Sequence, residues 1–326
     1  MKIIVDAMGG DNAPSEIIKG AVEAASKVDA TIVLVGNAKV IKKHLDEFGQ
    51  PDNVKVKHAG EVITNDEVPT KAIKTKKDSS MVVGLNMLKE KEGEVFISAG
   101  STGALLTGAL LIVGRIKGIS RPALCPTLPS QDGPFVIVDA GANTNCKPEY
   151  LVQFAHMGNI YCRNVLGIKN PRVGLLNIGT EEEKGNDLTK GAYELLKKEK
   201  FNFIGSIEGR DLMPGNVDVV VCDGFSGNVA LKTIEGFGLA VFGILKETLL
   251  KGFVRKVGAL LLKPALKEIK KKMDYTEYGG ALLLGIDGGV IKCHGTSKAK
   301  EIKSAIIQAY DFERTNTIEN IKAAIK

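Results

Sequence analysis

The sequence predicts an α/β fold, a mostly parallel sheet covered by helices on both faces, in short a three-layer α/β/α sandwich. Three observations carry that reading. Short apolar runs alternate with helix-length amphipathic segments along most of the 326 residues. Five of those runs end in a glycine-bearing loop with a small polar or acidic residue. No repeat of about 20–50 residues and no low-complexity linker breaks the alternation, so one domain over residues 1–326 is expected.

In order, strands are expected at Lys2–Asp6, Thr31–Val35, Val54–His58, Val95–Ser98, Phe135–Asp139, Arg172–Asn177, Asn202–Gly205 and Val217–Cys222. Helices are expected at Pro14–Lys27, Ala38–Phe48, Ser79–Glu90, Thr102–Val113, Pro148–Leu166, Asp187–Lys198 and Gly227–Leu250. The uncharged stretch Val95–Gly114 is long enough to span a bilayer. Its centre, Ser98-Ala99-Gly100-Ser101-Thr102-Gly103, is a polar loop, so it reads as strand, turn and buried helix. From Ser297 onward one or two closing helices are expected.

The region Leu250–Gly295 is the least regular. Phe253, Val254, Val257, Leu260 and Leu261 follow helical spacing, Pro264 interrupts, and Leu266, Ile269 and Met273 restart an apolar stripe. Two amphipathic helices meeting near Gly258–Pro264 would form a protruding hairpin within residues 240–275. Eight basic residues stand there: Lys251, Arg255, Lys256, Lys263, Lys267, Lys270, Lys271 and Lys272, against Glu268 alone. The formal net charge of +6 is thus concentrated in one segment. That pattern argues for a local contact, not nucleic-acid binding, for which no motif exists. A membrane surface, a subunit interface and a protein dock all fit the hairpin.

Composition bounds the chemistry. With 44% hydrophobic and 25% charged residues the chain is neither disordered nor collagenous. Its five cysteines never fall in CxxC spacing, which predicts reduced thiols and a cytosolic setting. The N-terminus lacks a signal-peptide pattern. HExxH, GxSxG, GxGxxG and GxxxxGK[ST] are all missing, so no metal or nucleotide cofactor is expected.

The five loops are Asp6–Asp11, Ser98–Gly103, Asp139–Asn143, Asn177–Glu181 and Cys222–Asn228. In an open parallel sheet they gather at the carboxyl edge, where ligands bind, and their glycines and following helix N-termini suit an anion. For Asp6 and Asp139 a cap and a functional site are equally good readings. Cys222, beside Asp223, reads as structural because a neighbouring anion raises a thiol pKa. His294 is the one histidine in a glycine-rich polar loop. Lys184 and Arg210 follow strand ends and stand near the loops in sequence.

These loops, with others, resemble the bacterial acyl-ACP:phosphate acyltransferases, the PlsX family. The motifs are IVDAMGGDNAP (Ile4–Pro14), SAGSTGAL (Ser98–Leu105), DAGAN (Asp139–Asn143), CKP (Cys146–Pro148) and NIGTEEEKGN (Asn177–Asn186). IEGRD (Ile207–Asp211), CDGFSGNV (Cys222–Val229), YGGALLLG (Tyr278–Gly285) and CHGTS (Cys293–Ser297) complete the order. The family usually has Asn at Ser101, Pro at Leu282 and Ser at Thr296. The resemblance implies a fold related to phosphotransacetylases and isocitrate-type dehydrogenases. It implies transfer of a fatty acyl group from acyl carrier protein to inorganic phosphate, giving acyl-phosphate for phospholipid synthesis. It further implies a homodimer peripherally bound to an anionic membrane, and a membrane glycerol-phosphate acyltransferase as a further partner.

For such chemistry the Ser101, Thr102, Gly103 loop, the Ser226, Gly227, Asn228 loop and Lys184 are the candidate phosphate holders. Asn143 and the backbone at Gly179 are candidate oxyanion donors, and Asp223 and His294 candidates for orientation or proton handling. Phe253, Val257, Leu260 and Leu261 are the candidate membrane contacts. Lys71, Lys74, Lys76 and Lys77 form a candidate patch for the acidic carrier. Two rivals stand beside this reading: an isocitrate-type NAD(P)-dependent dehydrogenase, and a non-catalytic membrane-recruited scaffold.

Overall fold

The computed structural model describes residues 1–325 and, within them, every side chain except those of Lys270, Lys271 and Tyr275. Along the chain run β1 (Lys2–Asp6), α1 (Ser15–Ala25), β2 (Thr31–Gly36), α2 (Ala38–Phe48), β3 (Val54–His58), α3 (Pro69–Thr75), α4 (Ser80–Lys89), β4 (Val95–Ser98) and α5 (Thr102–Gly108). Then come β5 (Ala123–Cys125), β6 (Thr127–Ser130), β7 (Gly133–Val138), α6 (Pro148–Asn164), β8 (Val173–Leu176), α7 (Asp187–Leu196), β9 (Phe203–Ile207), β10 (Val219–Val221) and α8 (Gly224–Leu249). The chain closes with α9 (Phe253–Lys272), β11 (Ala281–Leu284), β12 (Gly289–Lys292), α10 (Ala299–Arg314) and α11 (Thr317–Ala324). The expected α/β class holds. Lys326, part of the expected closing segment, lies outside the described residues.

Local chemistry sets the boundaries. Asn37, Ser79, Asn186 and Asp223 each accept backbone N–H groups of the first turn they precede, opening α2, α4, α7 and α8. Pro69 and Pro148 stand in the first turns of α3 and α6, where no N–H is missed. Strands β4 and β10 are buried at every residue, as parallel strands covered on both faces must be. The uncharged stretch Val95–Gly114 divides into β4, a loop, α5 and a π-helical turn at Ala109–Val113, as its polar centre predicts.

Two features differ from expectation. The strands form two sheets instead of one, in the orders β3-β2-β1-β4-β12-β11-β5 and β6-β7-β10-β8-β9. Pairing is parallel except that β11 runs antiparallel to β12 and β5, and β6 to β7. The chain crosses between sheets at Pro126, from edge strand β5 to edge strand β6. No strand was expected at residues 123–130, where Pro126 and Pro129 stand, yet an edge strand tolerates a residue without an N–H. β11 and β12 were hidden by the glycines that flank such short runs.

The hairpin is real but turns elsewhere. α9 runs unbroken through Pro264, and the bend lies between α8 and α9 at Leu250–Gly252. Gly252 sits at φ +82°, a conformation open to glycine, so the chain reverses there and not near Gly258–Pro264. The expected break at Pro264 overweighted proline, whose clash and lost bond a helix can absorb at one turn.

A carboxylate helps tie the two sheets, beside the backbone bond from Ala140 N to the Leu124 carbonyl at 2.9 Å. Asp139, just past β7, accepts N–H groups from Leu124 of β5 (2.8 Å), Ala142 (3.1 Å) and Asn143 (2.6 Å), plus the Asn143 side-chain amide (2.9 Å). Burial pushes its carboxyl above the ordinary value, against those bonds. Four converging donors oppose that rise. Asp139→Asn turns an amide N–H₂ toward two of them, and each unmet buried donor costs about 1–3 kcal/mol. The expected outcome is a urea midpoint lowered by the equivalent of roughly 2–4 kcal/mol; an unchanged midpoint would remove Asp139 from this bracing position.

Candidate active site

The glycine loops gather in two groups. In the first sheet, Asp6 accepts from the Met8 and Gly9 N–H groups and from Ser98 Oγ, which in turn accepts from Gly100 N. Asp11 N donates to the Gly295 carbonyl at 2.8 Å, and the Asn12 amide holds the carbonyls of Thr296 and Ser297. The loops after β1, β4 and β12 are thereby one unit. In the second sheet the Asp139 network joins the loop after β7 to α8, because Gly224 N donates to the Asn143 carbonyl at 2.7 Å. Gly227 packs so closely that a Cβ there would lie 1.9 Å from the Asp139 carbonyl oxygen.

Between the two groups opens a cavity of about 570 Å³. Thr102, Gly141, Asn228, Lys232, Glu235, Lys292, His294, Thr296 and Ser297 supply its polar lining. Leu124, Leu128, Leu231 and Leu239 line it with apolar surface. Asn228, Leu231, Lys232, Glu235 and Leu239 share one face of α8 at helical spacing. Glu235 receives Lys232 Nζ at 2.7 Å and lies 3.3 Å from His294 Nε2, which ties α8 to the loop after β12. Burial would raise the Glu235 carboxyl, but His294 and Lys232 hold it below its ordinary value. Lys292 ends β12, and burial pulls its ammonium below the usual lysine pKa, with Lys232 acting in the same direction.

The sequence candidates fall into three groups. Thr102, Asn228 and His294 line the cavity. Ser101, Asn143, Asp223, Ser226 and Gly227 are occupied in building its walls. Ser101 caps α5, Asn143 gives its amide hydrogens to Asp139 and the Pro122 carbonyl, and the Ser226 hydroxyl is donated to Asp223, the α8 cap. Gly103 packs against Pro69 at the start of α3. Gly179 and Lys184 belong to the loop after β8 and are not among the cavity-lining residues; Lys184 pairs with Glu181 at 2.8 Å. Asp6 and Asp139 are loop braces, and burial pushes the Cys222 thiol well up.

Lys232, Glu235 and Lys292 were missed. The signal for the first two is the polar spacing that continues from Asn228 along α8. For Lys292 it is a lysine closing an apolar strand directly before Cys293-His294-Gly295.

The chain matches the family described as "Fatty acid synthesis protein" over residues 1–320. It is 53% identical to a phosphate acyltransferase of Alkaliphilus oremlandii (strain OhILAs), covering 100% of this chain and 97% of the relative. It is 52% identical to a phosphate acyltransferase of Clostridium novyi (strain NT), covering 100% and 99%. Among solved structures, a phosphotransacetylase from Streptococcus pyogenes aligns with TM-score 0.66 at 16% identity, over 98% of this chain and 94% of that one, a likeness of fold.

Position separates two of the candidates. If Asn228 meets the reacting groups, Asn228→Ala should lower kcat/KM by about a hundredfold to a thousandfold, the range for losing one polar contact to developing charge. Lys184→Ala, outside the lining and already paired, should lower it by less. The reverse ranking, with both variants folded, would move the reaction centre to the loop after β8.

Proposed function

The chain belongs to this fatty acid synthesis protein family and is an acyltransferase of the phosphate acyltransferase type; from that premise we propose that it moves a fatty acyl group from acyl carrier protein to inorganic phosphate. The observation that carries the reading is the two-sided cavity between the loop groups. Its leucines offer an apolar wall to an acyl chain, and its hydroxyl, amide and ammonium groups offer a polar end to an anion and a carbonyl. A hydrogen phosphate oxygen attacks the thioester carbonyl, the C–O bond forms, the C–S bond breaks, and the proton that the phosphate gives up ends on the departing thiolate. Such a reaction needs holding and orientation more than a protein nucleophile.

The product would serve phospholipid synthesis, with a membrane glycerol-phosphate acyltransferase as its consumer, and the setting would be cytoplasmic. For the acidic carrier, helix α3 is the favoured dock. It packs against α5, which opens at the cavity residue Thr102, and Lys71 and Lys74 are exposed on it. Lys76 is the poorer contact, since its ammonium is held by Glu67 at 2.7 Å and the Val62 carbonyl at 2.8 Å.

Mixing acyl-carrier thioester with and without phosphate tests the reaction. Free thiol and hydroxylamine-trapped acyl-phosphate should appear together, in the presence of phosphate and without NAD(P), ATP or added divalent ion. Equal thiol release without phosphate would make the chain a thioesterase instead.

The exposed apolar residues of the hairpin are what supports peripheral membrane binding, and a homodimer belongs to the same proposal. α8 is long and apolar enough to cross a membrane by length and composition, yet Gly224, Gly227 and Leu231 at its start are buried in the body. Beyond them Phe237, Ile244, Leu250, Phe253, Val254, Leu260 and Leu261 are exposed, and Val257 half so. The bend at Gly252 makes Phe253 and Val254 the leading residues, with Leu260 and Leu261 about 12 Å behind along the helix. Shallow burial of such side chains, with nearby lysines each adding about 1 kcal/mol at an anionic surface, gives reversible attachment. Phe253→Glu with Val254→Glu should abolish co-sedimentation with anionic liposomes and leave transfer in solution intact. Retained sedimentation would place the anchor elsewhere, and a shift to monomer would assign the tip to the subunit interface.

A further inference from the structure

One wall of the cavity carries a cation with no ion pair among the described residues and a buried hydroxyl with no hydrogen-bond partner. Lys292 stands at the carboxyl end of β12, paired in register with Ser98 of β4 and Ala281 of β11. Among the described residues it makes no ion pair, and its Nζ donates to the neighbouring Cys293 carbonyl. Ser297, 3% exposed and on the same lining, has an Oγ with no hydrogen-bond partner.

Two acids on this wall are already committed, and Asp11 and Asp6 act on Lys292 through their charge without an ion pair among the described residues. Glu235 serves Lys232 and His294, and Glu301 accepts the Lys298 N–H at the start of α10. The loop that carries Ser297 is fixed from behind by Asn12, so the geometry is prepared in advance. Taking a cation with one carbonyl partner and a hydroxyl with none out of water is costly, and the cost is recovered when an anion with several acceptor oxygens arrives.

We propose that Lys292 and Ser297 form the seat of the inorganic phosphate, a proposal that rests on the acyltransferase reading and deepens it. An ammonium is a point charge with rotatable donors and takes a tetrahedral anion without prescribing which oxygen is free. The Ser297 hydroxyl donates to a second oxygen. The oxygens left over face the cavity, where the acyl carbonyl enters between Asn228 and the leucine wall. Lys184, exposed and paired with Glu181, lacks this unmet charge.

The test uses the full-length protein and inorganic phosphate at constant ionic strength, with chloride as the control. Phosphate should raise the Tm of the wild type. Lys292→Met should melt higher than wild type in phosphate-free buffer, because an unpaired cation has been removed, and should no longer respond to phosphate. Ser297→Ala should respond only at severalfold higher phosphate. In steady state Lys292→Met should raise the phosphate KM about tenfold or more with the acyl-donor KM changed less than about twofold, and Lys292→Arg should recover part of the loss.

An undiminished phosphate response in Lys292→Met, a wild type that responds no more to phosphate than to chloride, or a lowered Tm in phosphate-free buffer would each overturn the assignment. The two readings fail separately. Acyl-phosphate formed with an unchanged phosphate KM in Lys292→Met removes the seat and keeps the reaction. A phosphate response lost with Lys292, in a protein that forms no acyl-phosphate, removes the reaction and keeps the seat.

Discussion

The Asp139 carboxylate is where two sheets become one site. Its oxygens collect an N–H from edge strand β5 of the first sheet and three donors from its own loop in the second. The same residue's carbonyl packs against Gly227 at the start of α8. Three elements that line the cavity, namely β5, the loop after β7 and α8, are therefore positioned relative to one buried charge. Desolvation opposes that charge, and only the convergence of donors sustains it. Such a brace is sensitive by construction, since every donor depends on one ionised acceptor.

Asp6 does for the first sheet what Asp139 does across the junction. It gathers the loop after β1 and, through Ser98, the loop after β4. With the Asp11 and Asn12 contacts to the loop after β12, the polar side of the cavity is held from behind. The carboxylates of Asp6 and Asp139 thus face the backbone, while Glu235 and Glu301 share the cavity lining with amides, hydroxyls and ammonium groups. Glu235 is paired with Lys232 and His294, which spares an anionic acceptor its repulsion.

Much of this was legible in the sequence. Alternation gave the α/β class, since parallel strands buried on both faces read as short apolar runs between amphipathic helices. The glycine loops pointed to one functional edge because strand ends in such sheets project together. What stayed hidden depends on contacts distant in the chain. Asp139 could have been cap or catalyst until its bond to Leu124 was seen, and two prolines concealed the crossing from β5 to β6. Ser226 and Asn143 looked like ligands by type, but their side chains serve the walls. Lys292 was not singled out, because β12 was itself hidden and only its pairing with β4 and β11 brings Lys292 to the cavity.

The measurement that bears most directly on the account is a crystal structure of the protein with inorganic phosphate and a non-hydrolysable thioether analogue of the acyl donor. Phosphate is expected on the cavity wall formed by the loop after β12, with the carbonyl-equivalent carbon beside it near Asn228 and the alkyl chain against Leu124, Leu128, Leu231 and Leu239. Phosphate bound instead in the loop after β8 beside Lys184, with the cavity between the sheets empty of both ligands, would contradict it.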